Sequence, residues 1–443
     1  MISLNRFYRQ ILTRMLALAL GGLFAALPVQ AADSAPLSML HTQDGEWRQA
    51  DGTPIALKGA NLGNWLILEF WMMGQRNAVM DDQCTLQDTL DKRFGYAERE
   101  RLMKVFKDNW MTARDWDLLP SFGLNLVRLP FIWSLIEDEK HPGHLRVDAW
   151  NYLDAAIDQA EARGLYVILD LHGAVGSQGT EHHSGCAGKN LFWSTPAYQE
   201  RTTWLWQQIA ARYKDRAAVA GYSLLNEPWG TESAEMVRVM KALYANVRAV
   251  DPHHVIIFPG HNSGIDGYGN LNAQGLRNAA FEMHFYPGHF GWGKPGSEVH
   301  RKWLLCQPAG SGVCEWQARM KSLNAALFVG EFQPWADMEL ELGGQITRTS
   351  YDAYAKNGWA SAVWAYKLLS NEGGQSAGNW GLVTNRKGMK IPALDFATAS
   401  SAEIETLFLQ FGAVPYEPHT AVQTWMQSKQ APKAWATTTR PTK

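Results

Sequence analysis

The feature that most constrains the fold is an alternation of short β-rich apolar runs with longer amphipathic stretches. Eight such runs lie at Ile55–Asn61, Leu124–Leu129, Leu165–Leu171, Ala220–Leu225, Val255–Phe258, Phe281–Phe285, Leu327–Gly330 and Ser361–Ala365. Between them apolar residues recur at helical spacing, as in Asp148–Arg163, Thr195–Tyr213, Glu235–Val250 and Gln345–Asn357. This alternation is typical of parallel strands joined by crossover helices. Eight units close most simply into an α/β fold of the (β/α)8, or TIM-barrel, type.

The chain length fits one domain of this kind. Its 443 residues exceed the roughly 250 of a bare barrel, and residues 32–443 carry no second set of folding signals. We therefore assign the excess to long loops after strand ends, at Gly63–Tyr96, Gly173–Asn190 and Pro287–Val313, which are usually functional. The end of the chain, from about residue 432, is rich in Pro, Thr and Lys, and we expect it to be loosely held.

The composition favours an uncharged partner. Charged residues make up 19% of the chain and the formal net charge is -2, so neither disorder nor binding to nucleic acid is indicated. Trp is more frequent, at 20, than Phe at 17 or Tyr at 14. Flat indole rings stack well on sugar rings, although Trp is also a large core residue. The composition therefore fits a carbohydrate ligand without requiring one.

The N-terminus has the organisation of a secretory signal peptide over residues 1–31. Three arginines precede an apolar run from Met15 to Val29, and small residues stand at Val29 and Ala31, where a signal peptidase would cleave. This predicts a periplasmic or secreted protein. The run is shorter than the roughly 18 to 20 residues needed to span a bilayer, so we expect no stable membrane insertion after cleavage. An uncleaved anchor is the alternative.

The four cysteines predict two disulfide bonds in an exported protein. Four cysteines allow three pairings. Cys306 and Cys314 form the easiest pair because they close a short loop, which leaves Cys84 with Cys186. We expect both bonds to hold loops around a cleft, and four buried thiols are the alternative. The spacings lack the Cys-x2-Cys element of a zinc site.

The predicted strand ends carry an unusual number of polar and aromatic residues. In a (β/α)8 barrel the active site lies at the carboxyl ends of the strands, where residues distant in sequence converge. The residues at these ends are Asn61, Arg128, His172, Asn226, Glu227, the glycine-rich loop Gly260–Gly269, His284, Tyr286, Glu331 and Trp364. A single residue of this kind would mean little, but a barrel built for stability alone has little reason to collect so many. This concentration indicates an active site.

Two of these residues suit glycoside hydrolysis. Glu227 follows the predicted fourth strand in Asn226-Glu227-Pro228, and Glu331 ends the seventh in Gly330-Glu331-Phe332. The two carboxylates can therefore face each other across the barrel mouth, as the general acid and its partner do in glycosidases. A separation of about 5 Å would predict retention of configuration at the sugar. Either glutamate alone could equally form an ion pair at a strand end.

Together these motifs resemble family 5 of the glycoside hydrolases, within the clan of retaining barrels that carry catalytic glutamates on strands 4 and 7. The resemblance covers the chain from about Pro54 to Trp380. It implies that Glu227 is the general acid/base and Glu331 the nucleophile, in a double-displacement reaction without cofactor or metal. It also implies a polysaccharide or oligosaccharide substrate.

The same resemblance implies roles for six further residues. They are Arg128, His172, Asn226, His284, Tyr286 and Trp364. Asn226 would hydrogen-bond the sugar 2-hydroxyl, and His284 would lie beside Glu227. Arg128 and Tyr286 would keep Glu331 ionised and aligned. Trp364 would form the platform under the reactive sugar.

Within the family, residues 59–66, 172–178 and 364–367 are most similar to the branch that contains exo-β-1,3-glucanases. A β-1,3-linked or mixed glucose polymer is therefore the favoured substrate. The chain departs from that branch at Asn64, where a second Gly is usual, and at Val175, where Pro is usual. Loops Glu181–Gly188 and Pro287–Cys306 match no pattern of the branch, so linkage and exo or endo action stay open.

Three alternative functions remain beside this hypothesis. A β-1,4-glucanase would use the same residues, and a transglycosylase would share the glycosyl-enzyme intermediate. A non-catalytic carbohydrate-binding barrel is disfavoured by the intact pair of Glu227 and Glu331. His172, His182 and His183 could suggest a metal site, but loop histidines are as easily solvated and the retaining mechanism needs no metal. The loop Gly260–Gly264 lacks the spacing of a phosphate-binding loop.

Overall fold

A computed structural model describes residues 36–77, 79–260 and 264–432 of the chain. The predicted signal peptide and nearly all of the predicted loose tail lie outside these residues. Among the described residues, no helix combines the length and apolar character needed to cross a bilayer.

Twelve strands form one closed barrel and two small antiparallel pairs. The strands are β1 (His41–Gln43), β2 (Glu46–Arg48), β3 (Lys58–Asn61), β4 (Leu126–Ile132), β5 (Tyr166–Gly173), β6 (Val219–Ser223), β7 (Val255–Pro259), β8 (Ala279–Phe285), β9 (Ala326–Phe332), β10 (Ala360–Val363), β11 (Val383–Asn385) and β12 (Tyr416–Pro418). Strands β3 to β10 follow one another around the barrel, and β10 pairs in parallel with both β9 and β3. These are the eight predicted runs, so the predicted (β/α)8 fold is confirmed.

Helices cover the outside of the barrel and also build part of the long loops. They are α1 (Gln83–Phe94), α2 (Tyr96–Trp110), α3 (Ala113–Leu118), α4 (Asn151–Glu161), α5 (Pro196–Tyr213), α6 (Ser233–Val250), α7 (Ser297–Leu304), α8 (Val313–Leu323), α9 (Leu340–Lys356), α10 (Ser401–Ala413) and α11 (Thr420–Gln427). The four predicted helical stretches correspond to α4, α5, α6 and α9. Two segments predicted as long loops contain helices, α1 in Gly63–Tyr96 and α7 in Pro287–Val313.

The amino end of the barrel is closed by the β1–β2 hairpin. Trp47 of β2 is buried and its indole N–H donates to the carbonyl of Leu327, at the start of β9. Trp47 packs in one cluster with Leu126 and Ile168 from the barrel interior. The interior is therefore filled at this end, and the open end is the one where the strands terminate.

The main core lies between the barrel and its helices, and the C-terminal helices extend it. Phe408 of α10 packs edge-on against Phe106 of α2, with ring centroids 5.3 Å apart. Capping boxes define the start of α3 at Thr112 and of α10 at Ser400. This shell supports the strand ends from outside and leaves the carboxyl face of the barrel to the βα loops.

Candidate active site

Arg128 stands at the centre of the polar residues at the carboxyl end of the barrel. Its side chain is fully buried on β4. One terminal nitrogen donates to Oδ1 of Asn61 and to Oε1 of Glu331, both at 2.9 Å. The other donates to Oδ1 of Asn226 at 2.8 Å. A planar guanidinium suits these contacts because its N–H donors are fixed in direction. Three predicted site residues thus converge on Arg128.

Glu331, at the end of β9, accepts hydrogen bonds on both carboxylate oxygens. Oε1 receives Arg128, and Oε2 accepts from the Tyr286 hydroxyl at 2.6 Å. Burial raises the pKa of Glu331 to about 7, against the opposing effects of His284 and Arg128. The preceding Gly330 must be glycine, because a Cβ there would lie 1.9 Å from Oε1 of Glu282.

Glu227 lies beyond β6 and contacts two imidazoles. His284 Nδ1 is 2.7 Å from Oε1, and His183 Nε2 is 3.1 Å from Oε2. Burial would raise the pKa of Glu227, but the two histidines outweigh it and lower that pKa to about 2. The backbone of Glu227 has a φ of 41°, a left-handed conformation that costs a non-glycine residue free energy. The fold thus holds this carboxylate in one orientation.

His284 joins the two glutamates. One carboxylate oxygen of Glu227, one of Glu331 and a ring nitrogen of His284 all lie within 4.8 Å of one another. Nδ1 of His284 is 3.5 Å from Oε2 of Glu331. Although burial lowers the proton affinity of the ring, Glu331, Glu227 and Glu282 raise the pKa of His284 to about 10. An oxygen of Glu227 and an oxygen of Glu331 therefore lie no more than 4.8 Å apart.

His172 and Trp364 form a second group beside Asn226. Nδ1 of His172 bonds Oδ2 of Asp170 at 2.7 Å, and Nε2 lies 3.2 Å from the side-chain nitrogen of Asn226. Burial lowers the pKa of His172 well below its usual value, so the ring is neutral and its Nε2 accepts from Asn226. The Trp364 indole stacks on His172 at 5.6 Å and is only 4% exposed. Trp364 is thus more enclosed than a free sugar platform would be.

Two acidic residues in the barrel interior were not among the predicted site residues. Asp170 and Glu282 each lie 3.0 Å from Arg128, and the Ser223 hydroxyl oxygen lies within hydrogen-bond distance of both carboxylates. Each precedes a predicted site histidine by two residues, in Asp170-Leu171-His172 and Glu282-Met283-His284. Alternate residues of a strand face the same side, so this spacing was a usable signal.

The loops add residues that strand patterns do not reveal. Glu69 is buried and accepts a hydrogen bond from the indole of Trp71 at 2.7 Å. His182 Nε2 lies 3.4 Å from the same carboxylate. His182 and His183 therefore face different glutamates. The loop Gly260–Gly264 lies partly outside the described residues.

Both predicted disulfide bonds are present. Cys84 bonds Cys186 with Cα atoms 5.0 Å apart, and Cys306 bonds Cys314 with Cα atoms 5.6 Å apart. The first ties α1 to the loop that carries His183. The second joins the end of the Pro287–Val313 segment to α8.

Aromatic side chains line the mouth of the site. Trp380 lies 5.9 Å from Trp71 and from Tyr286, and Phe290 lies 6.1 Å from Trp380, all between ring centroids. Trp229 is 42% exposed and meets His183 edge-on at 5.8 Å. Such rings offer flat apolar faces next to hydrogen-bonding groups, as sugar binding requires.

The closed barrel and the cluster of ionisable residues at its carboxyl end define a (β/α)8-barrel enzyme. Residues 96–368 match the family model described as cellulase (glycosyl hydrolase family 5). The chain is 30% identical over 342 residues to a β-xylosidase of Phanerodontia chrysosporium, covering 73% of this chain and 69% of that protein. The protein therefore belongs to family 5 of the glycoside hydrolases and is a glycoside hydrolase, as its motifs predicted.

Other relatives are similar over shorter stretches. The chain is 31% identical over 247 residues to a glucan 1,3-β-glucosidase of Blumeria graminis, covering 52% of this chain and about half, 55%, of that protein. Among solved structures, the rutinosidase from Aspergillus niger superposes with a TM-score of 0.58 at 17% identity, covering 74% of this chain and 93% of that one. The structural likeness shows the shared barrel fold.

Proposed function

We propose that the protein is a retaining β-glucan hydrolase in which Glu331 is the nucleophile and Glu227 the general acid/base. The observation that carries the proposal is the pair of carboxylates whose nearest oxygens lie within 4.8 Å but whose partners differ. Glu331 bonds a guanidinium and a phenol, whereas Glu227 bonds imidazoles. Such unequal surroundings are how two similar carboxylates acquire different roles.

Glu331 suits nucleophilic attack because its donors stabilise the carboxylate and hold it in place. A charge-assisted bond from Arg128 and a short bond from Tyr286 both weaken if the carboxylate is protonated. In the first step Glu331 attacks the anomeric carbon and the glycosidic C–O bond breaks. The leaving oxygen takes a proton from Glu227.

The proton for that step is shared by Glu227 and His284. The pKa of Glu331 is raised and that of Glu227 is lowered. The first step needs the reverse, an ionised Glu331 and a protonated Glu227. Glu227, Glu331 and the buried Asp170 and Glu282 face the cations of Arg128 and His284, so the pKa of each carboxyl depends on the charge of the others. We assign the proton to the Glu227–His284 pair because the donors of Glu331, a guanidinium and a phenol, keep their protons, whereas an imidazolium can pass one to Glu227. His284 Nδ1 can pass it over 2.7 Å to Glu227.

The favoured substrate is a β-1,3-linked or mixed glucose polymer. The glucan 1,3-β-glucosidase of Blumeria graminis and the motifs of residues 59–66 and 172–178 support it. A β-xyloside is a second candidate, because the β-xylosidase of Phanerodontia chrysosporium matches over a longer stretch. Two disulfide bonds support export to a periplasmic or extracellular site.

Product analysis tests the proposal. The protein is incubated with laminarin, a soluble cellulose derivative and a β-1,6-glucan, and the anomer first released is followed by NMR. We expect fastest release from laminarin, with a β-anomer as the initial product. Initial α-anomer would contradict retention, and faster cleavage of cellulose would replace the β-1,3 assignment by β-1,4. Longer products from laminari-oligosaccharides would indicate a transglycosylase.

The glucose and xylose alternatives are separated with paired aryl glycosides. We expect a higher kcat/KM for 4-nitrophenyl β-glucoside than for the β-xyloside. The reverse order would favour the xylosidase assignment. Turnover of neither aryl glycoside nor polysaccharide by folded protein would favour a non-catalytic binding barrel.

A further inference from the structure

His183 contacts the second carboxylate oxygen of Glu227 from a loop outside the barrel strands. Its Nε2 lies 3.1 Å from Oε2, while His284 of β8 serves Oε1. His183 belongs to the segment Glu181–Gly188, which follows the end of β5. The contact therefore comes from a βα loop.

The turn that presents His183 is anchored on its C-terminal side. Residues His182–Ser184 form a single 3-10 turn closed by Gly185, whose N–H donates to the carbonyl of His182 at 3.0 Å. The N–H of Cys84 donates to Gly185 at 2.9 Å, and the Cys84–Cys186 bond repeats this connection covalently. An anchored turn can hold an imidazole in a defined direction.

The ring of His183 is also held by its neighbours. It meets Trp229 edge-on at 5.8 Å and 90°, and His172 at 6.0 Å and 72°. Its side chain is 17% exposed, so it borders the cleft. A substitution here reaches Glu227 without opening the buried network around Arg128.

We infer that His183 is a positioning residue that holds Glu227 as a carboxylate for the second, water-activating step of the reaction. The inference rests on the proposed function, in which Glu227 donates a proton first and then accepts one from water. The imidazole beside Oε2 stabilises the carboxylate electrostatically. The imidazole of His183 therefore favours Glu227 as a base and disfavours it as an acid. Its removal should slow the second step more than the first.

The charges around Glu227 agree with this assignment. Besides His183, groups from four strands face it: His172 on β5, His284 on β8, Glu331 on β9 and Arg128 on β4. Burial raises the pKa of Glu227, and the electrostatic effect of His183 is the largest that opposes it, ahead of that of His284. Loss of His183 should therefore raise the pKa of Glu227.

The experiment compares His183→Phe with His183→Gln on 2,4-dinitrophenyl β-glucoside, or on the β-xyloside if the wild type prefers it. This leaving group needs no acid, so the second step limits kcat and the first sets kcat/KM. His183→Phe keeps a ring but loses the polar imidazole nitrogens, and kcat should fall about tenfold, the size of one pKa unit of lost stabilisation of the carboxylate. kcat/KM should change by less than about twofold. In His183→Phe the acidic limb of the kcat–pH profile should move to higher pH. His183→Gln keeps a polar N–H group and should recover most of kcat.

His182→Phe is the matched control, because His182 lies on the same turn but faces Glu69 at 3.4 Å. It should leave the acidic limb of kcat unchanged. The inference is overturned if folded His183→Phe keeps the wild-type kcat and the wild-type acidic limb of the kcat–pH profile. It is also overturned if His183→Phe, His183→Gln and His182→Phe have equal effects. A separate measurement, intact mass spectrometry of the wild type during turnover, detects whether a glycosyl-enzyme accumulates. Its absence would count against the proposed function rather than against His183.

Discussion

At the scale of single residues, the two oxygens of Glu331 show how hydrogen-bond donors oppose the effect of burial on a carboxylate. Arg128 and Tyr286 each donate to a different oxygen and lower the pKa of Glu331, which burial nevertheless raises to about 7. The resemblance to family 5 predicted both partners from their motifs. The His183 contact with Glu227 was not predictable, because it depends on the conformation of an irregular loop.

Replacing Tyr286 by Phe tests the surroundings of Glu331, the proposed nucleophile. The ring packs with Met72 and Trp364 and would be kept, but Glu331 would lose its hydroxyl donor. We expect kcat/KM to fall roughly 10- to 100-fold, the size expected for a hydrogen bond to a charged group. The acidic limb of the pH profile should move to higher pH, because the protonated nucleophile cannot attack. Steady-state kinetics across pH measures both.

A matched control is Tyr268→Phe. Tyr268 is also buried, but its hydroxyl donates to the carbonyl of Pro259 at 2.9 Å. This variant should keep the wild-type pH profile. An unchanged kcat/KM in Tyr286→Phe would remove Tyr286 from the support of Glu331.

At the scale of elements, the sequence predicted strands more reliably than the segments between them. Strands such as β5 and β9 are buried on both faces and read as continuous apolar runs. Helix α1 escaped prediction because its apolar spacing is weak and it lies within a segment rich in irregular structure. The β1–β2 and β11–β12 pairs have three residues per strand, too few for a pattern to emerge.

The two disulfide bonds should contribute unequally to stability. Cys84 and Cys186 are 102 residues apart, whereas Cys306 and Cys314 are 8 apart. Because a longer closed loop restricts the unfolded chain more, the first bond should add up to about 4 to 5 kcal/mol and the second less. Thermal unfolding of Cys84→Ser/Cys186→Ser and Cys306→Ser/Cys314→Ser compares them, after peptide mapping without reductant has confirmed the pairing in the protein. A larger loss from the second pair would contradict the loop-closure argument.

The last helix should respond to acid through His419. This residue precedes α11, is 1% exposed, and its Nδ1 accepts from the N–H of Val422. Burial lowers the pKa of His419 to about 4, so the unfolded chain takes up its proton at a higher pH than the folded one. Stability is therefore lost as the pH falls from about 6.5 towards 4, by roughly 3 kcal/mol in total.

His419→Asn keeps a capping acceptor but does not titrate. Urea unfolding at several pH values should show a smaller loss of stability between pH 6.5 and 4 in this variant than in the wild type. If the free energy of unfolding falls equally with pH in the two proteins, His419 is not responsible for the loss of stability in acid.

At the scale of the whole molecule, the barrel places the predicted strand-end side chains other than those of the Gly260–Gly269 loop in one site, while the β1–β2 hairpin fills the opposite end. That convergence follows from the topology, so the alternation of runs in the sequence was sufficient to predict it. The roles within the cluster depend on distances of a few ångströms between charges. Asp170 and Glu282 were therefore not predicted as site residues, although each lies two residues before a predicted site histidine and contacts Arg128.

The central claim, that Glu331 attacks and Glu227 exchanges protons, is tested most directly by azide rescue. Glu331→Gly should abolish hydrolysis because no glycosyl-enzyme can form. Glu227→Ala should still react with 2,4-dinitrophenyl β-glucoside, which needs no acid, and then stall for want of a base. Azide needs no base, so it should accelerate Glu227→Ala and give the β-glycosyl azide. Rescue confined to Glu331→Gly with an α-azide product would exchange the two roles, and no rescue in either folded variant would contradict the double-displacement mechanism.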